Sequence, residues 1–163
     1  MGAIPREVVM GPEDEVQNQT EQSDEPKQKE PLLLEIRENI YLGNKDAYKS
    51  LDELREKGIT AVVIVADDLE LPPFEADSQI KVWKLGIRAD RMNPPHVKDL
   101  AVHSPKYMTQ NGEKVLIQSV TGLERGAYVI CRLVCELEQT TIYEVMQELK
   151  EKLPEFDINK SYF

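Results

Sequence analysis

Ile117-Gln118-Ser119-Val120-Thr121-Gly122-Leu123-Glu124-Arg125-Gly126 is the stretch on which the reading of this 163-residue chain turns. The run Lys114 to Ile117 that feeds it is apolar and strand-like, and the run Leu123 to Leu137 that follows has the length and apolarity of a buried helix. A chain that leaves a strand, turns through Val120, Thr121 and Gly122 and enters a helix near Leu123 points successive backbone N–H groups inward. The helix N-terminus adds positive potential. Gly122 permits a backbone conformation that residues with side chains resist. Arg125 supplies a planar, two-pronged donor for two oxygens of a phosphate. The stretch therefore reads as an anion cradle, although by spacing alone an ordinary strand–turn–helix with a surface arginine fits nearly as well.

Working outward, the segments on either side alternate between strand and helix. Leu32 to Ile36 and Ile40 to Leu42 read as two short strands around a turn at Arg37-Glu38-Asn39. Asn44 is placed to cap a helix running to about Lys57, with Ala47, Leu51 and Leu54 on one face and Gly58 as its stop. Ala61 to Ala66 is continuously apolar, the pattern of a strand buried on both faces. Asp67 to Ser78 is a polar loop containing prolines. Ile80 to Leu85 alternates as a strand, with Trp83 expected in the core. A helix is predicted over His96 to Met108, kinked or restarted by Pro105, with Gly112 ending that segment. Thr141 to Leu153 is amphipathic and is stopped by Pro154. This order predicts an α/β fold, a central and mostly parallel sheet of about five strands flanked by helices. In such sheets ligands sit beyond the carboxyl ends of the strands, where Ser119 falls.

Residues 1–30 have a different character, rich in Glu, Gln, Asp and Pro and almost without branched or aromatic side chains after Val9. Such a segment cannot bury enough apolar surface to offset its ordering entropy, so it reads as a disordered acidic tail preceding one folded domain over 31–163. The chain carries 30 acidic and 20 basic side chains, a formal net charge of -10. That balance opposes non-specific binding to nucleic acid and to anionic membranes. No apolar run approaches the roughly 20 residues of a membrane span, and the N-terminus lacks the apolar core of a secretory signal. Cys131 and Cys135, four apart in an apolar helical pattern, read as buried small hydrophobes, which suits a reducing cytoplasm.

From about Glu35 onward the chain resembles the dual-specificity and protein-tyrosine-phosphatase-like domains of the cysteine-dependent phosphatase superfamily. The resemblance is carried by Ile40-Tyr41-Leu42-Gly43-Asn44, by Gly58-Ile59-Thr60 leading into Val62-Val63-Ile64-Val65, and by Val82-Trp83-Lys84-Leu85-Gly86-Ile87 before Asp90. Lys114-Val115-Leu116-Ile117 feeding the loop completes it. In that family a His-Cys pair opens the loop, the cysteine attacks phosphorus, an arginine holds the equatorial oxygens, and an aspartate from another loop protonates the leaving oxygen. By position the resemblance implies Ser119 at the nucleophile site, Asp90 at the general-acid site and Arg125 as phosphate clamp. The phosphate-binding loop would be Ser119, Val120, Thr121, Gly122, Leu123, Glu124 and Arg125. Asp90 matches its loop only loosely, and a solvated carboxylate reads equally well there.

Three departures bear on activity: Ser119 replaces the cysteine, Gln118 the preceding histidine, and Gly126 the hydroxyl residue after the arginine. A loop cysteine reacts as a thiolate. A serine hydroxyl ionises far less readily and needs an adjacent base, and the only histidines, His96 and His103, lie in the preceding segment. The expectation is a pseudophosphatase that binds a phosphoprotein, or a free phosphate or sulfate, without efficient hydrolysis. A genuine phosphatase in a Cys-to-Ser substrate-trap form would explain Ser119 but not Gln118 and Gly126. A scaffold binding through other surfaces is a third reading. A cytoplasmic monomer with neither metal nor cofactor is expected. Glu124, beside Arg125, would repel a dianion if turned inward.

Overall fold

The structure, a computed structural model, describes residues 30–70, 79–89 and 92–156. The acidic tail, most of the loop over 71–78, and Asp90 lie outside the described residues. Five strands form one sheet: β1 (Leu33–Arg37), β2 (Ile40–Gly43), β3 (Ala61–Ala66), β4 (Lys81–Ile87) and β5 (Val115–Gln118). Their order across the sheet is β1-β2-β5-β3-β4. β1 pairs antiparallel with β2, and every other pairing is parallel. The helices are α1 (Leu51–Glu56), α2 (Pro95–Gln110), α3 (Arg125–Glu138) and α4 (Ile142–Lys152). The mostly parallel, helix-flanked sheet expected from the sequence is the one found.

Strand alternation divides the core into two layers. Ala61, Val63 and Val65 join Ile40, Leu42, Val115 and Ile117 beneath α2, α3 and α4. Val62, Ile64 and Leu116 face the other way, against Ala47, Leu54 and Ile59 around α1. Successive side chains of a strand point to opposite faces, so a strand sandwiched between two layers must be apolar at every position. All six residues of β3 are buried accordingly. α3 is buried along Arg125–Cys131 and again at Leu133 and Val134, which is why its sequence lacks a broad polar face.

Four expectations are corrected. Asn44 does not begin a helix: α1 spans only Leu51–Glu56, with Ser50 at its N-cap. Asn44 is instead buried and holds the chain around it together. Its Oδ1 accepts from the amides of Leu32 (3.1 Å) and Asp46 (3.0 Å), and its Nδ2 donates to the Glu30 carbonyl (2.9 Å). An Asx side chain bonding the amide two residues on closes a turn that mimics a helix start. Trp83 is 49% exposed rather than in the core. β4 is the last strand of the sheet and has β3 on one side only, so the face of Trp83 is incompletely covered. Pro105 does not restart α2, which starts at Pro95 and continues through to Gln110 with the proline inside it. The missing Pro105 N–H forfeits one helix hydrogen bond, while burial of Ala101, Val102, Pro105, Met108 and Thr109 on one side holds the helix in place. The strand feeding the key loop also starts one residue later than expected and includes Gln118.

Candidate anion-binding site

The loop 119–124 leaves β5 at the carboxyl ends of β2, β5 and β3. It is fastened to the segment after β2 by two backbone bonds, Ser119 N–H to the Gly43 carbonyl (3.2 Å) and Lys45 N–H to the Val120 carbonyl (3.0 Å). Gly122 has φ +77, and a Cβ there would sit 3.0 Å from Leu32 Cδ2 and 3.1 Å from the Gly43 carbonyl oxygen. Left-handed backbone and lack of space therefore both require glycine. The turn expected from the sequence is formed where it was expected.

Ser119 is buried, and its Oγ accepts hydrogen bonds from the amides of Gly122 and Gly126, each at 3.2 Å. Two N–H donors converging on one atom favour negative charge on it. The same arrangement would suit a thiolate. Gly126 makes it possible: a Cβ on residue 126 would lie 2.9 Å from Ser119 Oγ and 3.0 Å from Leu42 Cδ1. Gly126 is thus a matter of close approach. Gln118 is buried, with its Nε2 donating to the Asn44 carbonyl (3.0 Å) and its Oε1 lacking a partner among the described residues. No titratable side chain among the described residues bonds Ser119, so nothing there is placed to take its proton.

Other amides of the loop remain available. Leu123 N–H is taken by Thr121 Oγ1 (3.1 Å). Those of Val120, Thr121 and Arg125 have no acceptor among the described residues. Arg125, the first residue of α3, is buried, its side chain 8% exposed. Its Nη1 donates to Asp68 Oδ1 (2.7 Å) and to the Ile87 carbonyl (3.1 Å), and Asp67 Oδ1 lies 3.6 Å away. Its Nε and Nη2, the edge that grips two oxygens at once, have no partner among the described residues. The hydrogen bond from Arg125 holds the Asp68 carboxyl below its ordinary range, and the charge of Lys84 acts in the same direction. Glu124 is half-buried at the α3 N-cap without a side-chain capping bond.

The predicted loop residues Ser119 to Arg125 are brought together. Asp90 lies outside the described residues, flanked by Arg88 and Asn93, whose side chain both accepts from the Arg88 amide (2.8 Å) and donates to its carbonyl (3.1 Å). Asp67, Asp68 and Asn44 were missed as site residues. Two consecutive aspartates at the carboxyl end of a fully buried strand were a readable signal for the first two, since ligands collect at that end of a parallel sheet. Neither cysteine is a substitute nucleophile. Burial pushes the Cys131 thiol up to about 12 and raises that of Cys135, whose Sγ donates to the Thr140 carbonyl (2.6 Å). Among the described residues no three His, Cys, Asp or Glu side chains gather as a metal site, and no helix is long and apolar enough to cross a membrane.

No protein-family model matches the chain. It is 28% identical over 137 residues to human "Dual specificity protein phosphatase 12", a match covering 80% of this chain and 39% of that protein. The chain thus spans well under half the length of this curated relative. Among solved structures it superposes on human DUSP28 with a TM-score of 0.71 at 16% identity, covering 84% of this chain and 91% of that one. A human tyrosine phosphatase-like serine/threonine/tyrosine-interacting protein gives a TM-score of 0.69 at 19% identity, covering 80% and 89%. The chain has a dual-specificity-phosphatase-like fold and a sequence related to dual-specificity phosphatases.

Proposed function

We propose that this protein binds a phosphorylated protein through the loop 119–125 and hydrolyses the phosphoester poorly or not at all. The observation that carries the reading is Ser119, set where two amides converge, beside a buried arginine with an open two-nitrogen edge, and without a base to activate it. The loop has donors for a tetrahedral anion: the amides of Val120, Thr121 and Arg125 and the Nε and Nη2 of Arg125, which have no acceptor among the described residues. Two unpaired thiols, Cys131 and Cys135, accord with a reducing, cytoplasmic setting.

A second reading, a competent phosphatase held in a trapped form, is favoured by the name of the human relative and by amides that would suit a thiolate. One experiment separates the two. Tungstate, an unreactive tetrahedral dianion, is titrated into the wild type and Arg125→Ala, and Ser119→Cys is assayed with an aryl phosphate. The proposal expects saturable tungstate binding that falls at least about tenfold in Arg125→Ala, the loss of one charged bidentate contact, and little turnover by Ser119→Cys. Substantial turnover by Ser119→Cys alone favours the trapped enzyme. No tungstate binding by the folded wild type would sink both.

A further inference from the structure

The anion-binding loop has a second, oppositely charged lip. Asp67 and Asp68 stand where β3 ends, beside the end of β5 from which the loop leaves, and Asp68 touches the arginine that would hold the anion. Their side chains are 46% and 55% exposed, so both carboxylates reach solvent at the mouth of the site. Toward Arg125 the closest contacts are at Oδ1 of each, a 2.7 Å hydrogen bond for Asp68 and a 3.6 Å ion pair for Asp67. Arg125 in turn commits Nη1 to this lip and leaves Nε and Nη2 open. An oxyanion on that open edge would lie within about the width of one guanidinium group from Asp68, close enough for strong repulsion at a partly dry site.

The charges nearby do not cancel that repulsion. Among the described residues that act on Asp68 the cations are Arg125 and Lys84, so an anion held by Arg125 leaves Asp67 and Asp68 under-compensated. A ligand carrying only negative charge is opposed here. One that brings a cation next to its phosphate satisfies both halves: oxyanion to Arg125 and the loop amides, cation to the exposed carboxylates of Asp67 and Asp68. The net charge of -10 acts the same way at longer range, disfavouring anionic membranes and nucleic acid and favouring a basic peptide.

We infer that the loop selects a phosphorylated peptide segment with lysine or arginine beside the phosphoresidue, and that Asp67 and Asp68 determine this specificity. The inference rests on the phosphate-binding reading given above, and its test keeps the two apart. Two phosphopeptides of equal length, one with Arg and one with Gln on both sides of the phosphoresidue, are titrated calorimetrically at low ionic strength. The unphosphorylated Arg peptide serves as control, and the proteins are the wild type, the double variant Asp67→Asn with Asp68→Asn, and Arg125→Ala. Thermal melts confirm that each is folded.

The wild type is expected to prefer the Arg phosphopeptide by about fivefold or more, the scale of partly exposed ion pairs. In the double variant that ratio should fall toward one while affinity for the Gln phosphopeptide rises. Equal binding of the two phosphopeptides by the wild type, or a preference that survives in the double variant, overturns the specificity and leaves phosphate binding intact. The same holds if vesicles bearing a phosphoinositide compete as well as the Arg phosphopeptide. Phosphopeptide binding that is unaffected in Arg125→Ala, no better than that of the unphosphorylated control, or absent from every protein overturns both.

Discussion

Ser119 and Gly126 form a matched pair, and the match has a measurable cost when broken. The amide of residue 126 reaches Ser119 Oγ at 3.2 Å only because no Cβ intervenes. Gly126→Ala would press a methyl against Ser119 Oγ and Leu42 Cδ1, at 2.9 and 3.0 Å before relaxation. It is expected to destabilise by about 1–3 kcal/mol, the usual range for overpacking a tight interior. Urea denaturation measures this, and the cost should shrink in a Ser119→Gly background, where the obstructing oxygen is gone. A cost equal in both backgrounds would place the strain at Leu42. By resemblance, the sequence put Ser119, Gln118 and Gly126 at positions where a cysteine, a histidine and a hydroxyl residue are expected. It could not show that Ser119 and Gly126 fit one another, because the contact between them depends on how the loop closes.

At the scale of elements, what was legible depended on whether a signal was local. β3 was readable because burial on both faces leaves a continuous apolar run, and Gly58 and Gly112, at φ +79 and +87, marked the ends that only glycine tolerates easily. The start of α4 was readable too. Thr141 Oγ1 accepts from the Glu144 amide (3.2 Å) and the Glu144 carboxylate accepts from the Thr141 amide (3.3 Å), a reciprocal capping box. Thr141→Ala is expected to cost about 1 kcal/mol, read as a lowered thermal midpoint. Asn44 was misread because a helix N-cap and an Asx turn use the same residue in the same local way. Trp83 was misread because periodicity assigns a face but does not reveal that a strand is the outermost of its sheet. The Arg125–Asp68 contact joins residues 57 apart in sequence, beyond the reach of any local pattern.

For the molecule as a whole, the antiparallel edge is tied to the helices by one arginine. Arg37 on β1 donates to Glu138 at the end of α3 and to Glu148 on α4, with its closest contacts at 2.6 Å. The Arg37 hydrogen bond holds the Glu148 carboxyl below its ordinary 4.5. A carboxyl whose folded value is depressed stabilises fully above its unfolded value and loses that contribution as pH falls through the folded one. Thermal midpoints of the wild type should therefore fall more steeply between about pH 5 and pH 3 than those of Arg37→Met, which at neutral pH should be less stable by about 1 kcal/mol. Parallel acid limbs in the two proteins would show that other carboxylates govern the acid transition.

β5, the strand that delivers Ser119, lies in the middle of the sheet, with Ile117 facing Leu42 on one side and Val63 on the other. Its amides are therefore enclosed by neighbours and are expected to fall in the slowest-exchanging class, which opens only when the domain unfolds as a unit. The root of the candidate loop would then have no private unfolding reaction. Its lifetime would be that of the whole domain, and a ligand held there would slow the exchange of the entire central sheet.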